Sequence, residues 1–382
     1  MKILLMGNQA ESLYRFRKDL IAELRQRVHE IVLVTPETTS EMRRLIESAG
    51  ASLVTVPFHR TSLNPFSNLK TFFMIWKVLN AVKPNVVFCF TIKPVIYGSL
   101  AARFCGIREC YSMITGTGSI FSENSLKHRL ARWVVKRIYR LSLGFNRTVF
   151  FQNPQDLDMF TKEMKLLDGE KAVLIAGSGV NLTEYLFVPV PEGPVRFLYM
   201  GRLLREKGIG EFAEAAIFLK IKYPQVQFDI LGPFDSNPTA ISPKEMDGWK
   251  QSAAVNYLGE TFDVKPFLSA STVFVLPSYY REGIPRSSLE ALAMGRPIVT
   301  TDWTGCREVV IEGKNGFLVP VRDINALAQA MERFIQDPSL APRMGKESRK
   351  LAEEKFDVRK VNRIILEKMG LFTLTDDELG SI

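Results

Sequence analysis

The chain has 382 residues, of which 46% are apolar and 24% charged. This globular profile excludes a disordered chain or a repeat array, and the length is enough for two domains. The formal net charge of +9 permits nucleic acid, an anionic membrane surface or a phosphorylated small molecule as partner, without choosing among them.

Cysteine and histidine usage predicts neither a disulfide framework nor a metal site. The cysteines form no CxxC pair, and the histidines do not stand at metal-ligand spacings. We therefore expect buried or free thiols in a reducing compartment. The first apolar run is too short for a signal peptide, and no run approaches the ~18 residues of a spanning helix. These features predict a protein in the cytosol or lying on a membrane.

In the first half, short β-branched runs alternate with helical patterns of ten or more residues. Near-continuous apolar strands with helices between them indicate a parallel sheet covered on both faces. The predicted strands are 2–6, 30–35, 52–57, 85–91, 110–115, 148–153 and 172–176.

A stiff connector follows at 186–194, where three prolines and a glycine stand within nine residues. We place the domain boundary there. The resulting domains are 1–188 and 189–356, with the C-terminal segment 357–382 packing back on the first domain.

The alternation then restarts. Predicted strands are 195–200, 226–231, 255–258, 272–276, 297–301 and 316–319, and predicted helices are 208–220, 285–294, 325–335, 341–354 and 358–369. The fold class is therefore α/β, with two doubly wound Rossmann-like domains facing a central cleft. In such folds ligands bind beyond the carboxyl ends of the strands and between domains.

The most informative segment is 278–295, which follows the apolar strand 272–276. Gly283 permits unusual backbone angles, and Pro285 suits the first turn of a helix. The amides of Gly283, Ile284 and Arg286, together with the helix dipole, make a site for an anion or hydroxyl. Glu282 precedes the helix and Glu290 lies two turns inside it. Without this context, the two glutamates would be solvated surface charges.

A second segment, 200–208, follows the first strand of the second domain. Arg202 stands at the end of that strand, and Lys207 precedes a helix. Two cations at a helix N-terminus suit a diphosphate, because Arg offers planar forked donors and Lys a point charge. The alternative is a loop with ordinary surface basic residues.

Together these segments resemble the family-4 retaining glycosyltransferases of the GT-B fold. The resemblance implies that Arg202 and Lys207 bind the donor diphosphate, and that Glu282 and Glu290 bind the donor sugar and ribose. It also implies contacts from Gly283, Ile284 and Pro285. The stretch 257–264, with Gly259, resembles the nucleobase-side loop of that family.

The N-terminal half resembles bacterial polyprenyl-diphosphate-sugar N-acetylgalactosaminyltransferases at 12–17, 60–66, 115–121 and 177–181. Many family members carry a histidine near the end of the fourth strand, where this chain has Thr91-Ile-Lys93-Pro. The resemblance implies a lipid-linked saccharide as acceptor, with candidate contacts at Asn8, Arg15, Lys93, Thr115, Gly116, Thr117 and Gly118.

The implied reaction moves a hexose or N-acetylhexosamine from a UDP-sugar to a polyprenyl-diphosphate-linked saccharide in bacterial surface glycan assembly. The implied catalytic residues are Glu282, Arg202 and Lys207. Arg202, Lys207 and the helix amides would hold the charge that develops on the departing phosphate, and no metal or other cofactor is expected. The Asp156-Leu-Asp158 string is interpreted as the surface of a helix. Retention permits either double displacement or front-face attack.

A basic helix predicted at 126–141 carries Arg129, Arg132, Lys136 and Arg140 on one face, and its apolar face includes Ile138 and Leu141. An apolar stripe at 69–79 accompanies it. Such elements favour peripheral attachment to the anionic inner face of the cytoplasmic membrane, although an amphipathic helix also packs on its own core.

Two alternatives stay open. One is a UDP-N-acetylhexosamine epimerase, and the other is a glycosyltransferase with a soluble or lipopolysaccharide-core acceptor. A nucleic-acid partner is not expected, because the basic residues are not interleaved with a stacking platform.

Overall fold

The computed structural model describes residues 1–27, 29–58, 65–116, 136–252 and 254–372, with the backbone alone at 65 and 66. It divides the chain into two units, one of Met1–Ser178 with the segment from Arg359 onward, and one of Gly179–Val358.

The first unit contains a seven-stranded sheet in the order β3-β2-β1-β4-β5-β6-β7. Its strands pair in parallel, for example Ile3 with Ile31 in β1 and β2. The strands are β1 (Lys2–Met6), β2 (Glu30–Thr35), β3 (Ala51–Thr55), β4 (Val86–Phe90), β5 (Glu109–Ile114), β6 (Thr148–Phe151) and β7 (Ala172–Leu174). The helices are α1 (Ala10–Gln26), α2 (Ser40–Ser48), α3 (Pro65–Val82), α4 (Ser99–Phe104), α5 (136–144) and α6 (Pro154–Asp158).

The second unit contains a six-stranded parallel sheet in the order β10-β9-β8-β11-β12-β13. The strands are β8 (Arg196–Met200), β9 (Gln227–Leu231), β10 (Asn256–Tyr257), β11 (Val273–Leu276), β12 (Ile298–Thr301) and β13 (Gly316–Val319). The helices are α7 (Ile209–Lys222), α8 (Pro243–Gln251), α9 (Lys265–Ala270), α10 (Arg286–Ala293), α11 (Ile324–Gln336) and α12 (Leu340–Leu351). A further helix, α13 (Val358–Lys368), begins at the last residue of the second unit and otherwise belongs to the first.

Alternate residues of β1 fill two separate cores, one on each face of the first sheet. Ile3 and Leu5 pack with α1 and with Val361 and Ile365 of α13. Leu4 belongs to the opposite cluster, which includes residues of α3 and α5. Successive strand side chains point to opposite faces, so a strand covered on both sides must be apolar throughout.

The structural boundary lies at Ser178 and Gly179, before the proline-rich connector rather than within it. The connector belongs to the second unit because its backbone is hydrogen-bonded there. The amide of Val188 donates to the carbonyl of Met294 at 3.3 Å, and the carbonyl of Val188 accepts from the guanidinium of Arg296. The proline-rich connector is therefore packed against the second unit.

Both sheets reverse their strand order at one place, between β1 and β4 in the first unit and between β8 and β11 in the second. At such a switch point the two following loops leave the carboxyl edge in opposite directions, so a crevice forms there. The residues that follow these four strands are the ones to inspect.

Candidate functional site

In the second unit the switch point is flanked by the two sequence segments that were predicted to bind the donor. Arg202 follows β8, and Glu282 follows β11. A 3₁₀ turn, Arg205–Lys207, links β8 to α7. The fold therefore places the predicted donor residues of both segments at one edge of one sheet.

Arg202 is held in direction by two groups. Its Nη1 lies 2.9 Å from the carboxylate of Asp235, and its guanidinium lies 5.6 Å from the centre of the Tyr280 ring. Burial works against the charge of Arg202, but the hydrogen bond to Asp235 and the neighbouring Tyr280 outweigh it and raise the arginine pKa. Arg202 is therefore a fixed cation at this edge.

Lys207 forms an ion pair with Glu282, and its Nζ lies 5.5 Å from the centre of the same Tyr280 ring. The lysine side chain is 9% exposed and that of Glu282 20%. Gly208, next in the chain, has φ +76°, and a Cβ there would lie 2.1 Å from the carbonyl oxygen of Pro277. Only glycine allows the chain to turn this closely beneath β11.

The turn before α10 presents backbone donors. Gly283, Ile284 and Pro285 are buried, and within the described residues the amides of Gly283 and Ile284 donate to no acceptor. A buried amide without a partner is costly, so a ligand oxygen is the natural acceptor here. Gly305 packs directly over the carbonyl of Gly283, which fixes this turn.

Glu290 lies about one turn into α10, four residues after Arg286, the first helical residue. The prediction of two turns overcounts, since one turn takes about 3.6 residues. Its Oε1 accepts hydrogen bonds from the hydroxyl of Tyr185 and from Nε of Arg286, both at 3.0 Å. Burial, and then the charge of Glu290, raise the pKa of Tyr185. The tyrosine therefore keeps its proton and acts as a donor.

The loop after β10 carries Gly259, whose φ is +79°. Its carbonyl accepts from the amide of Gly232 at 2.8 Å, and the hydroxyl of Tyr257 donates to the carbonyl of Gly232 at 3.0 Å. The rings of Tyr257 and Phe234 lie 5.5 Å apart, and Phe234 and Leu258 are exposed. An apolar, partly exposed surface of this kind suits the face of a nucleobase.

In the first unit, Asn8 follows β1, Lys93 follows β4, and Thr115 and Gly116 follow β5. These strands are neighbours, so the residues share one sheet edge. Nζ of Lys93 donates to Oδ1 of Asn68 at 3.2 Å, and burial lowers the lysine pKa. Arg15 lies in the second turn of α1. The predicted contacts Thr117 and Gly118 lie outside the described residues.

The structure adds side chains beside the predicted site residues that the sequence motifs did not indicate. Asp235, Tyr185 and the side chain of Arg286 each hold a predicted donor residue in place. Thr91, at the end of β4, has φ +69°, rare for a β-branched residue, and its buried Oγ1 has no partner within the described residues. The sequence around Thr91 does not indicate this backbone conformation.

The interpretation of Asp156 as a surface residue is wrong. Asp156 is buried, and its carboxylate accepts a hydrogen bond from Nδ2 of Asn153 at 2.9 Å. Asn153 in turn caps α6 by accepting from the amide of Asp156. Asp158 does lie at the surface, paired with Lys162. Within the described ranges no group of three or more acidic, cysteine or histidine side chains is arranged to hold a metal ion.

Of the basic helix predicted at 126–141, the part from 136 onward is described as α5, and 126–135 lies outside the described residues. Tyr139 and Leu143 face the core, whereas Arg140 and Leu141 are exposed. Leu141, which was predicted on the apolar face with Ile138, is 55% exposed. No helix in the described portions of the chain combines the length and apolarity needed to cross a bilayer.

Solved structures share this architecture over nearly the whole chain. A glycosyltransferase from Rickettsia africae superimposes with a TM-score of 0.77 at 17% identity, covering 96% of this chain and 97% of that one. Anabaena HepE in complex with UDP gives 0.76 at 19% identity, covering 97% and 100%. The two doubly wound sheets are those of the GT-B fold.

The sequence comparisons give the family. Residues 187–351 match the family described as glycosyl transferases group 1, and residues 2–153 match the family described as glycosyl transferase 4-like. The chain is 30% identical to the N,N'-diacetylbacillosaminyl-diphospho-undecaprenol alpha-1,3-N-acetylgalactosaminyltransferase of Campylobacter jejuni, covering 91% of this chain and 92% of that protein. The chain belongs to the group 1 glycosyltransferases.

A second relative has a related printed activity. The UDP-Gal:alpha-D-GlcNAc-diphosphoundecaprenol alpha-1,3-galactosyltransferase of Escherichia coli is 27% identical, over 88% of this chain and 87% of that protein. Both relatives are named for acceptors that carry a sugar on diphosphoundecaprenol.

Proposed function

We propose that this glycosyltransferase moves a hexose or N-acetylhexosamine from a UDP-sugar to a polyprenyl-diphosphate-linked saccharide, with retention of anomeric configuration, during bacterial surface glycan assembly. The observation that carries the donor half is the convergence of Arg202, Lys207 and the amides of Gly283 and Ile284 at one sheet edge. The resemblance to family-4 retaining enzymes supports retention.

The chemistry asked of this edge is stabilisation of a leaving group. When the bond from the anomeric carbon to the β-phosphate breaks, its electron pair stays on the phosphate oxygen. The oxygen of the acceptor hydroxyl bonds to the same carbon, and its proton passes to the departing phosphate. Arg202, Lys207 and the α10 amides are oriented before the reaction, so they stabilise this charge without reorganising. We expect them to fill the role that a divalent cation has in other transferases.

We assign Glu282 a positioning role. Its carboxylate pairs with Lys207, which holds it in one direction and reduces its strength as a nucleophile. It then accepts a hydrogen bond from a hydroxyl of the donor sugar. Glu290, in α10, accepts a hydrogen bond from a hydroxyl of the ribose.

The acceptor half of the proposal is supported by the printed names of the two relatives, which share the diphosphoundecaprenol-linked sugar. The carboxyl edge of the first sheet offers Asn8, Lys93 and the Thr115–Gly116 turn to such a molecule, with Arg15 on α1 nearby in sequence. A half-buried lysine is a suitable contact for one phosphate of the acceptor.

The decisive experiment is a donor screen against a short polyprenyl-diphosphate-sugar, read by mass spectrometry, with the anomeric configuration of the product read by NMR. We expect one added hexose or N-acetylhexosamine with the donor's configuration, in EDTA as well as in magnesium. Glu282→Gln is expected to reduce turnover at saturating donor. An inverted product refutes retention. An epimerised donor formed without acceptor points to an epimerase, and transfer only to soluble or lipopolysaccharide-core saccharides points to another acceptor.

We further propose that the first unit lies on the anionic inner face of the cytoplasmic membrane, where such an acceptor keeps its lipid. Leu69, Phe73 and Trp76 stand on one face of α3 and are 54%, 50% and 38% exposed. The sequence has no Asp or Glu from 48 to 108, yet it carries Lys70 and Lys77 beside this face. Exposed aromatics flanked by lysines suit an interface with acidic lipids.

Co-sedimentation with vesicles tests the membrane proposal. We expect binding to vesicles containing acidic lipid, weaker binding to zwitterionic vesicles, and loss of binding in Phe73→Ser/Trp76→Ser. Phe218→Ser/Ile221→Ser removes two apolar residues of α7 in the second unit that are even more exposed, at 62% and 81%, and serves as the control. Equal losses in both double variants would remove the basis for assigning the face.

A further inference from the structure

The carboxylate of Glu290 is held through only one of its oxygens. Both the hydroxyl of Tyr185 and Nε of Arg286 donate to Oε1, each at 3.0 Å. Within the described residues, no hydrogen bond reaches Oε2. Two donors on one oxygen fix the rotation of the carboxylate, and they leave the other oxygen as the acceptor available to a ligand.

Tyr185 is itself fixed by a local turn. Oδ1 of Asn181 accepts from the amides of Thr183 and Glu184, and the amide of Tyr185 donates to the carbonyl of Asn181 at 2.9 Å. The carbonyl of Tyr185 accepts from Arg349 on α12 at 2.8 Å. The tyrosine is therefore anchored at its backbone, and its hydroxyl reaches across to α10.

The second donor to Glu290, Arg286, contacts the same segment of the chain that carries Tyr185. The guanidinium of Arg286 donates to the carbonyl of Gly179 and lies 5.9 Å from the centre of the Tyr185 ring. Its side chain is 11% exposed, slightly less than that of Glu290 at 13%. Tyr185, Arg286 and Glu290 thus form one unit whose members come from two chain segments 105 residues apart.

We propose that Tyr185 is a positioning residue for the donor: by holding Oε1 of Glu290, it aims Oε2 at the ribose hydroxyls of the nucleotide. This inference rests on the proposed function, in which Glu290 accepts from that ribose. Without the tyrosine hydroxyl, the carboxylate rotates about its last bond and the ribose contact weakens. The uracil and diphosphate contacts do not involve this carboxylate and are unaffected.

The variant Tyr185→Phe keeps the ring and deletes only the donor. Calorimetric titration with UDP and with 2',3'-dideoxy-UDP separates the ribose contact from the rest of the nucleotide. We expect Tyr185→Phe to bind UDP about tenfold more weakly, since a hydrogen bond to a charged group contributes about 1.5 kcal/mol or more. For the dideoxy nucleotide, wild type and variant are expected to bind alike.

A matched control exists in the same unit. The hydroxyl of Tyr223 donates to Glu332 at 2.9 Å, away from the donor edge, so Tyr223→Phe removes the same type of bond. It is expected to change neither affinity. In the transfer assay, Tyr185→Phe should raise the KM for the UDP-sugar about tenfold and leave kcat within about twofold, in line with a ground-state contact.

Two results overturn the inference while leaving the transferase assignment intact. One is an equal loss of affinity for UDP and dideoxy-UDP in Tyr185→Phe, which marks a merely structural role. The other is no loss for either nucleotide. The double variant Tyr185→Phe/Glu290→Gln gives an independent reading, because removing the hydroxyl should have no further effect once the charge of Glu290 is gone. Failure of the wild type to bind UDP would instead overturn the proposed donor.

Discussion

The ion pair between Lys207 and Glu282 gives the sharpest test of the donor site. Lys207→Met retains an unbranched stem of similar length and removes the charge. In the structure the lysine side chain is 9% exposed, pairs with Glu282 and lies over Tyr280. The substitution therefore takes away one cation from the diphosphate and leaves one carboxylate without its partner.

The effect on activity follows from the bond that is lost. A charge-assisted hydrogen bond contributes about 1.5–3 kcal/mol, which corresponds to about 10- to 150-fold in kcat/KM. Removing a donor to a charge that develops in the transition state costs about 10²–10³ in kcat. We therefore expect Lys207→Met to lower kcat/KM about 10²-fold, with most of the loss in kcat.

The effect on stability is separate. Removing one member of a fully buried pair costs about 3–5 kcal/mol. Glu282 keeps 20% of its side-chain surface in contact with solvent, so the cost here is closer to the 1–3 kcal/mol of an unsatisfied polar group. The double variant Lys207→Met/Glu282→Gln removes both charges, and we expect it to recover much of this stability and none of the activity.

Initial rates of sugar transfer and urea unfolding curves for the single and double variants complete the cycle. Lys222→Met serves as control, because its Nζ pairs with Glu332 at 2.7 Å on an exposed surface of the same unit, and it should leave kcat unchanged. A Lys207→Met enzyme with kcat within threefold of wild type would refute the reasoning. So would a double variant less stable than either single variant.

Two further predictions concern the scaffold. Gly208→Ala should destabilise the second unit by several kcal/mol, because its Cβ would lie 2.1 Å from the carbonyl oxygen of Pro277 and its φ is +76°. At Gly210 a Cβ would meet nothing within 4 Å, so Gly210→Ala should be neutral or stabilising by up to about 1 kcal/mol. Equal unfolding midpoints for the two variants would contradict this expectation. Of the four thiols, Cys105 alone is partly exposed, so a thiol reagent at neutral pH should label it first. The others should react only on unfolding, since burial raises the pKa of Cys306 to about 11, of Cys110 to about 12 and of Cys89 well above its usual value.

The strands were predictable because their signal is local. The central strands are buried on both faces, as β4 and β11 are along their whole length, so such strands appear as short apolar runs. Predicted and observed bounds agree closely, as at 30–35 and Glu30–Thr35. The shared location of Arg202 and Glu282 was predictable too, because each follows a strand and parallel strands end at the same edge of their sheet.

The domain boundary could not be derived in the same way. The connector at 186–194 has the composition of a linker, yet Arg296, fully buried, donates to Val188 in it, to Ser271 at 2.7 Å and to Met294 at 3.1 Å. Arg296 and Val188 are 108 residues apart in sequence. No local sequence pattern indicates that the guanidinium of Arg296 donates to the proline-rich connector.

Some residues of the candidate site could be predicted from the sequence and others could not. Arg202, Lys207, Glu282 and Glu290 stand at recognisable positions relative to strands and helices. Their partners do not, because Asp235 lies 33 residues from Arg202 and Tyr185 lies 105 from Glu290. The sequence identifies the groups that contact the ligand, whereas the side chains that orient them depend on the packing of the whole unit.

These partners also decide how the donor edge attracts its ligand. Arg202, Lys207 and Arg286 are each paired with a carboxylate, of Asp235, Glu282 and Glu290 respectively. Three cations balanced by three carboxylates produce little long-range field, so the diphosphate is held by short directional bonds rather than by net charge. UDP affinity should therefore change little between 50 and 500 mM salt, while binding of the acid-free α3 face to acidic vesicles should fall steeply. Calorimetry and co-sedimentation over the same salt series measure both, and parallel slopes would show that the donor edge acts through its overall charge instead.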